Sequence, residues 1–277
     1  MAVSISFKTE IISADSRQCF KELNIGVARP FTEDLQQVTH HFIASHSISE
    51  DVNAVTFEQY ALQKLNELFQ QHDTVVMTGG TGLYIKAFCE GLDEIPAVDP
   101  AIREKIIKNY EEKGLIWLQQ QVQQKDPAYY ATGEIQNPQR MMRALEVAEN
   151  TGQSILSFRK KEKVVRDFAI IKIGLELPKE ELLRNINNRV DKMIATGLVE
   201  EVKQLTACKN LNALQTVGYT EIFDYLEGKM SLKEAIERIK INTRQYAKRQ
   251  MTWFKKDNEM KWFSPVQVKE MIGLVIL

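Results

Sequence analysis

Thr74-Val75-Val76-Met77-Thr78-Gly79-Gly80-Thr81-Gly82 runs from a β-type stretch straight into a glycine turn, and Leu83 to Glu90 follows as a helical segment. A second compact β-type run, Glu10-Ile11-Ile12-Ser13-Ala14-Asp15, ends in the polar residues Ser16, Arg17 and Gln18. Neither run alternates strictly, so both read as buried strands of a parallel sheet. Phe168 to Ile173 reads as a third strand. Helical patterning over Phe57 to Gln70 separates the first two, and strands alternating with helices mean an α/β sheet. Ligands of such sheets sit beyond the carboxyl ends of the strands, where Asp15 and the Gly79–Gly82 turn both fall.

The middle of the chain has a different pattern. Asp99-Pro100 and Asn137-Pro138 each place a capping side chain ahead of a proline at the first helical turn. Ile102, Ile106 and Tyr110 share one face up to Gly114, a further helix covers Leu115 to Gln124, and Gly152 closes the helix begun at Asn137. Residues 98–166 therefore read as a helical insertion between two parts of an α/β core, 1–97 and 167–277. In the last third, Leu182, Ile186, Val190, Met193 and Ile194 form a stripe ending at Gly197, with Arg189 at its edge. On a later helix Lys240, Arg244 and Lys248 stack as a basic ridge suited to a phosphate backbone, and Tyr246 falls on the inward stripe.

Composition bounds the rest. The 277 residues are 44% hydrophobic and 26% charged, which suits a globular chain of one large or two modest domains. No apolar run approaches the roughly 18 residues of a membrane span, and the start carries no secretory pattern, so a cytoplasmic setting is expected. Cys19, Cys89 and Cys208 lie far apart, which excludes a disulfide framework and a cysteine zinc site. A net charge of −1 argues against non-specific coating of nucleic acid, although basic residues cluster locally at Arg159–Arg166 and Lys240–Lys256. His40-His41 reads as structural, because neighbours on a strand face opposite ways.

Several of these segments could carry chemistry. A carboxylate at a strand end, Asp15, can accept a proton or hold a metal, and Ser16, Arg17 and Gln18 can hydrogen-bond a base or phosphate. The glycines at 79, 80 and 82 let the backbone approach an anion, but without the lysine ending of a Walker loop. Gln139 and Arg143 share a helix face, and Arg244 to Phe254 interleaves basic and aromatic residues as single-stranded RNA binders do.

In order, Glu10–Gln18, Asn24-Ile25-Gly26-Val27-Ala28-Arg29-Pro30, His40-His41-Phe42, Gly79–Tyr84, Asn137–Arg140, Gln215–Tyr219 and Tyr246–Trp253 resemble the tRNA dimethylallyltransferases over nearly the whole chain. The resemblance implies a P-loop NTPase-like α/β core, nucleotide-binding in type, with a helical tRNA-binding insertion. It implies a cytoplasmic, monomeric enzyme that moves a dimethylallyl group from dimethylallyl diphosphate to the exocyclic amine of the adenosine 3′ of the tRNA anticodon, with Mg2+. Carried over by residue, Asp15 matches the general base, Arg189 the diphosphate-pairing arginine, and Thr81 and Arg103 positions near the flipped base. Ser16, Arg17, Gln18, the run Gln139, Arg140, Met141, Met142 and Arg143, and the run Gln215, Thr216, Val217, Gly218, Tyr219 and Thr220 match tRNA-facing positions, as do Lys248, Arg249, Gln250, Trp253 and Lys255.

The family pattern opens with a strand and a Gly-Lys-Thr phosphate loop, and the sequence contains no such loop. Ala2–Ser6 resembles the start of the helix that follows it. The expectations are that the sheet lacks its central strand at a large cost in stability, and that tRNA binding outlasts turnover. A non-catalytic tRNA-binding form and an isopentenyltransferase of free adenine nucleotides are the alternatives.

Overall fold

The computed structural model of the chain describes residues 1–160 and 162–276 and divides into two compact units, 1–90 with 166–277 and 91–165. Lys161, part of the Arg159–Arg166 basic cluster, lies outside the described residues.

The strands are β1 (Ile11–Ser13), β2 (His40–His41), β3 (Val76–Thr78), β4 (Ile173–Leu175) and β5 (Lys261–Phe263). The helices are α1 (Ala2–Phe7), α2 (Thr32–Gln37), α3 (Ala54–Leu68), α4 (Gly82–Glu90), α5 (Pro100–Lys125), α6 (Pro127–Thr132), α7 (Pro138–Thr151), α8 (Lys179–Ala195), α9 (Leu198–Gln204), α10 (Tyr219–Leu226), α11 (Leu232–Phe254) and α12 (Val268–Ile276).

The first unit holds a parallel sheet in the order β2-β1-β3, with Ile11 opposite both His40 and Val76. Ile11 and Ile12 are wholly buried, as a strand covered on both faces requires. The reading of β3 as buried is corrected: its residues are only partly covered and Thr78 is exposed, because β3 is an edge strand. Helices α3 and α4 pack together, and Phe57 stacks on Tyr84 at 4.6 Å between ring centroids. Offset aromatic pairs of this kind add about 1 kcal/mol beyond area burial.

A second parallel sheet pairs β4 with β5. The strand expected over Phe168–Ile173 begins only at Ile173; Phe168 to Lys172 instead line a cavity of about 390 Å³. Met77 and Thr78 of β3 and Ile173 to Leu175 of β4 also line it, so the cavity lies between the two sheets. Lys172 is tied down by Asp257 at 2.8 Å and Glu259 at 2.7 Å. Arg166 is likewise structural, bonding Glu58 and the carbonyls of Ala87 and Phe88.

The second unit is helical, with no strand among its described residues. Asp99 and Asn137 cap their helices by accepting from Ala101 N–H and Arg140 N–H. Gly114 breaks α5 with φ +75°, and Gly152 ends α7 with φ +70°, backbone angles that glycine adopts without a Cβ penalty. Ile106, Leu118, Val122, Tyr129, Met141 and Leu145 build its core. Buried Asp126 accepts from the amides of Tyr129 (3.0 Å) and Ile155 (3.1 Å), which satisfies its carboxylate inside that core.

Candidate active site

Asp15 follows β1 and makes a tight turn, its Oδ1 accepting from the amides of Arg17 (2.8 Å) and Gln18 (3.1 Å). The glycine turn after β3 docks directly on this segment. Ala14 N–H donates to Thr78 O at 2.7 Å, and Thr81 N–H donates back to Ala14 O at 3.1 Å. Ser16 N–H donates to Thr81 Oγ1 at 3.0 Å, so Thr81 holds the Asp15 turn from beside it. A Cβ at Gly79 would sit on the Ala14 carbonyl, which is why a glycine occupies that position. On its other side the turn meets α11, where Gln250 Nε2 donates to Gly80 O at 2.9 Å and Trp253 closes on Gly82.

Asp15 and Arg189 line one cavity of about 370 Å³. Ser16 and Arg17, the Gly26–Ala28 loop, Val190 and Met193 of α8, Gln215 to Gly218, and Tyr246 and Arg249 of α11 complete its walls. It offers a carboxylate, guanidinium groups and apolar wall in one space. Burial and the Asp15 charge push the Tyr246 hydroxyl above its ordinary pKa, so it stays a neutral donor. Burial, with Asp15, also pushes the Cys19 thiol up to about 12, which removes it as a nucleophile at neutral pH.

The loop walls are fixed from behind. Glu201 accepts from Ile25 N–H at 2.8 Å and Gly26 N–H at 3.1 Å, and the Tyr219 hydroxyl donates to it at 2.6 Å. Burial, and then the Glu201 charge, keep that hydroxyl protonated well above its ordinary value. Gln18 Nε2 donates to the carbonyls of Val27 (3.2 Å) and Ala28 (3.0 Å). Glu201 and the Tyr219 hydroxyl went unread in the sequence, because nothing local marks a carboxylate that bonds residues 176 positions away.

Several expected tRNA-facing residues are placed otherwise. Gln18 turns inward to the loop it bonds, Tyr219 is wholly buried, and Gly218 is buried beside it. Met141 (0% exposed) and Met142 (6% exposed) belong to the second unit's core, because they fall on the apolar stripe of α7. Arg103, Gln139 and Arg140 are exposed, while Arg143 reaches Glu146 at 3.3 Å. The basic ridge on α11 is also corrected. Lys240 pairs with Asp191 at 2.8 Å, and Arg244 donates to Asn187 Oδ1 at 2.7 Å, so both face α8. Lys248 alone of the three is exposed. Tyr246, read as inward, is 41% exposed and stands at the cavity with Arg249 over its ring. Lys255 pairs with Glu176 at 2.7 Å. His41 pairs with Glu10 and His40 bonds the Val38 carbonyl, a structural role for both.

The IPP transferase family model matches residues 18–257. The chain is 51% identical over 261 residues to the tRNA dimethylallyltransferase of Christiangramia forsetii, covering 94% of this chain and 86% of that protein. It is 45% identical over 277 residues to the tRNA dimethylallyltransferase of Cytophaga hutchinsonii, covering 99% and 91%. The full-length tRNA isopentenylpyrophosphate transferase structure from Bacillus halodurans superposes with a TM-score of 0.71 at 30% identity, covering 99% of this chain and 89% of that one. A eukaryotic dimethylallyltransferase acting on tRNA shares the fold, with a TM-score of 0.78 at 21% identity over 99% of this chain and 74% of that one.

Proposed function

Because the chain belongs to the IPP transferase family and is a tRNA-prenylating transferase, we propose that Asp15 is its general base and Arg189 its diphosphate-binding arginine. The donor in this reading is dimethylallyl diphosphate and the acceptor is the exocyclic amine of the adenosine 3′ of the anticodon. The observation that carries it is the shared cavity: the Asp15 carboxylate and the Arg189 guanidinium, with Arg17 and Arg249, line a single space large enough for a purine edge and a short prenyl group.

The chemistry is a substitution at carbon. The adenine amine attacks the allylic carbon, the new C–N bond forms as the C–O bond to diphosphate breaks, and the amine proton passes to Asp15. With Oδ1 occupied by two amides, the second oxygen of Asp15 is the one open to that proton. Negative charge grows on the leaving diphosphate, and the Arg189 guanidinium, which lines the cavity from an exposed position on α8, stabilises it more in the transition state than in the ground state. A base in a stem-loop must leave its stack to enter such a cavity, at a cost of a few kcal/mol. The neighbouring Tyr246 ring and the Trp253 indole, 40% exposed, offer stacking surface for an unstacked base.

Among the described residues no group of three or more carboxylate, imidazole or thiol side chains could hold a metal ion. Mg2+ in this reading would be held chiefly by the diphosphate oxygens, as magnesium commonly is at phosphate sites, where one or two carboxylates suffice. A preference for free adenine nucleotides is not favoured, since the relatives are tRNA enzymes.

The test is transfer of label from radiolabelled dimethylallyl diphosphate to an unmodified anticodon stem-loop. Label in the RNA, lost when the target adenosine is replaced by guanosine, supports the reading. Label retained after that replacement, or label in free AMP in preference to RNA, contradicts it.

A further inference from the structure

The wall of the cavity formed by Gly26, Val27 and Ala28 is held by side chains that do not themselves line it. Glu201, on α9, receives donors from both sides: the amides of Ile25 and Gly26 from the loop, and the Tyr219 hydroxyl from the start of α10. Tyr219 in turn seals the loop from behind, since a Cβ on Gly26 would come to 2.5 Å from its Cε2. The residues just before Tyr219, Gln215 to Gly218, form a further part of the cavity wall. One carboxylate thus ties two segments of that wall together. The position calls for two acceptor oxygens, because three donors converge on them; a carboxamide would set its own NH2 against one of the donors. Ala28 at φ +49° sits at the end of the braced loop, a left-handed angle that a non-glycine residue holds only under constraint. The apolar part of the cavity between these segments consists of Val27, Val190, Met193, Val217 and Ile239.

We propose that Glu201 is a positioning residue which, through Tyr219 and the 25–26 amides, holds the cavity wall at a spacing that admits a five-carbon prenyl group and excludes longer ones. The inference rests on the prenyl-transfer reading above and adds to it a determinant of chain length. An interlocked wall excludes a larger chain by clash, whereas a loosened one yields. Discrimination by hydrophobic size alone is typically about 10–200-fold per methylene, so relaxing the wall is readable in rate ratios.

The experiment compares dimethylallyl with geranyl diphosphate as donors to an anticodon stem-loop, for the unsubstituted chain, Glu201→Gln and Tyr219→Phe. The expected result is a rise of at least about tenfold in the geranyl-to-dimethylallyl ratio of kcat/KM in Glu201→Gln, and a smaller rise in Tyr219→Phe, which deletes a single donor. A loss of fold alone would slow both donors in proportion. If Glu201→Gln does not fold, Tyr219→Phe, the milder change, decides the matter. An unchanged ratio in the folded variants overturns the inference while leaving the prenyl-transfer reading intact. No transfer of either group by the unsubstituted chain overturns both.

Discussion

Asp15→Asn separates the chemical step from the fold. The aspartate oxygen that accepts from Arg17 and Gln18 has a counterpart in the asparagine carbonyl, so both hydrogen bonds of the turn survive the exchange. The turn is also held independently, by the Ser16–Thr81 hydrogen bond at 3.0 Å and by the Ala14 bonds to Thr78 and Thr81. What is lost is the charge that accepts the amine proton. Removing a general base slows the step by about 10²–10⁴, which corresponds to about 3–5 kcal/mol of barrier. Under single turnover, with excess enzyme and labelled donor, the variant is expected to fall by that factor while its affinity for the stem-loop changes less than about threefold, under ~1 kcal/mol. A variant with normal single-turnover rate would refute the base assignment. A variant that loses RNA affinity in step with rate would show that Asp15 binds rather than reacts.

Three other outcomes follow from the same geometry. Lys248→Ala removes an exposed cation from α11, and is expected to weaken tRNA binding and lower the slope of log Kd against log salt by about one; an unchanged slope takes Lys248 out of the interface. Gly79→Ala drives a methyl group into the Ala14 carbonyl and should destabilise the first unit by about 1–3 kcal/mol in a denaturant titration, since backbone cannot yield as a side-chain tip can. Glu22 supplies a pH dependence. Burial alone would raise its carboxyl, but the Ser47 hydroxyl (2.7 Å) and the Ile48 amide (3.0 Å) donate to its two oxygens and leave it below its ordinary value. A depressed folded value means that its stabilisation is present above the unfolded value, about 4.3, and disappears as pH falls through the folded one. Glu22→Gln should therefore be less stable than the unsubstituted chain at pH 7, with the gap closing in acid; a gap that persists at pH 2 contradicts the assignment.

What the sequence disclosed divides by range. Caps are local chemistry, so Asp99 and Asn137 announce their helices, and Gly152 announces an end. Strand β1 is legible because Ile11 and Ile12, consecutive and wholly buried, are both apolar, as burial on both faces favours. Helical periodicity places Arg189 at the edge of its stripe, and that edge is where the cavity lies. Periodicity says which side chains share a face, and not what the face packs against. Lys240 and Arg244 share one with Lys248, yet meet Asp191 and Asn187 of α8. The same gap misplaces Tyr246, which is half-open at the cavity. Phe168 to Ile171 is apolar enough for a strand, but the pairing with β5 begins only at the Lys172 carbonyl, which accepts from Lys261 N–H at 2.9 Å, and β5, Lys261–Phe263, is too short to stand out. The Glu201 brace joins residues from three separate stretches, and no pattern within any one of them points to the others.

In the proposed reaction Asp15 and Arg189 face its two ends, the amine and the diphosphate. A crystal structure with an anticodon stem-loop and an unreactive thio-analogue of dimethylallyl diphosphate measures this directly. The expected complex has the target adenine out of its stack, its amine within hydrogen-bond reach of the Asp15 carboxylate, about 2.6–3.2 Å, and the Arg189 guanidinium on the diphosphate oxygens. An adenine held elsewhere, or a diphosphate bound away from Arg189, contradicts it.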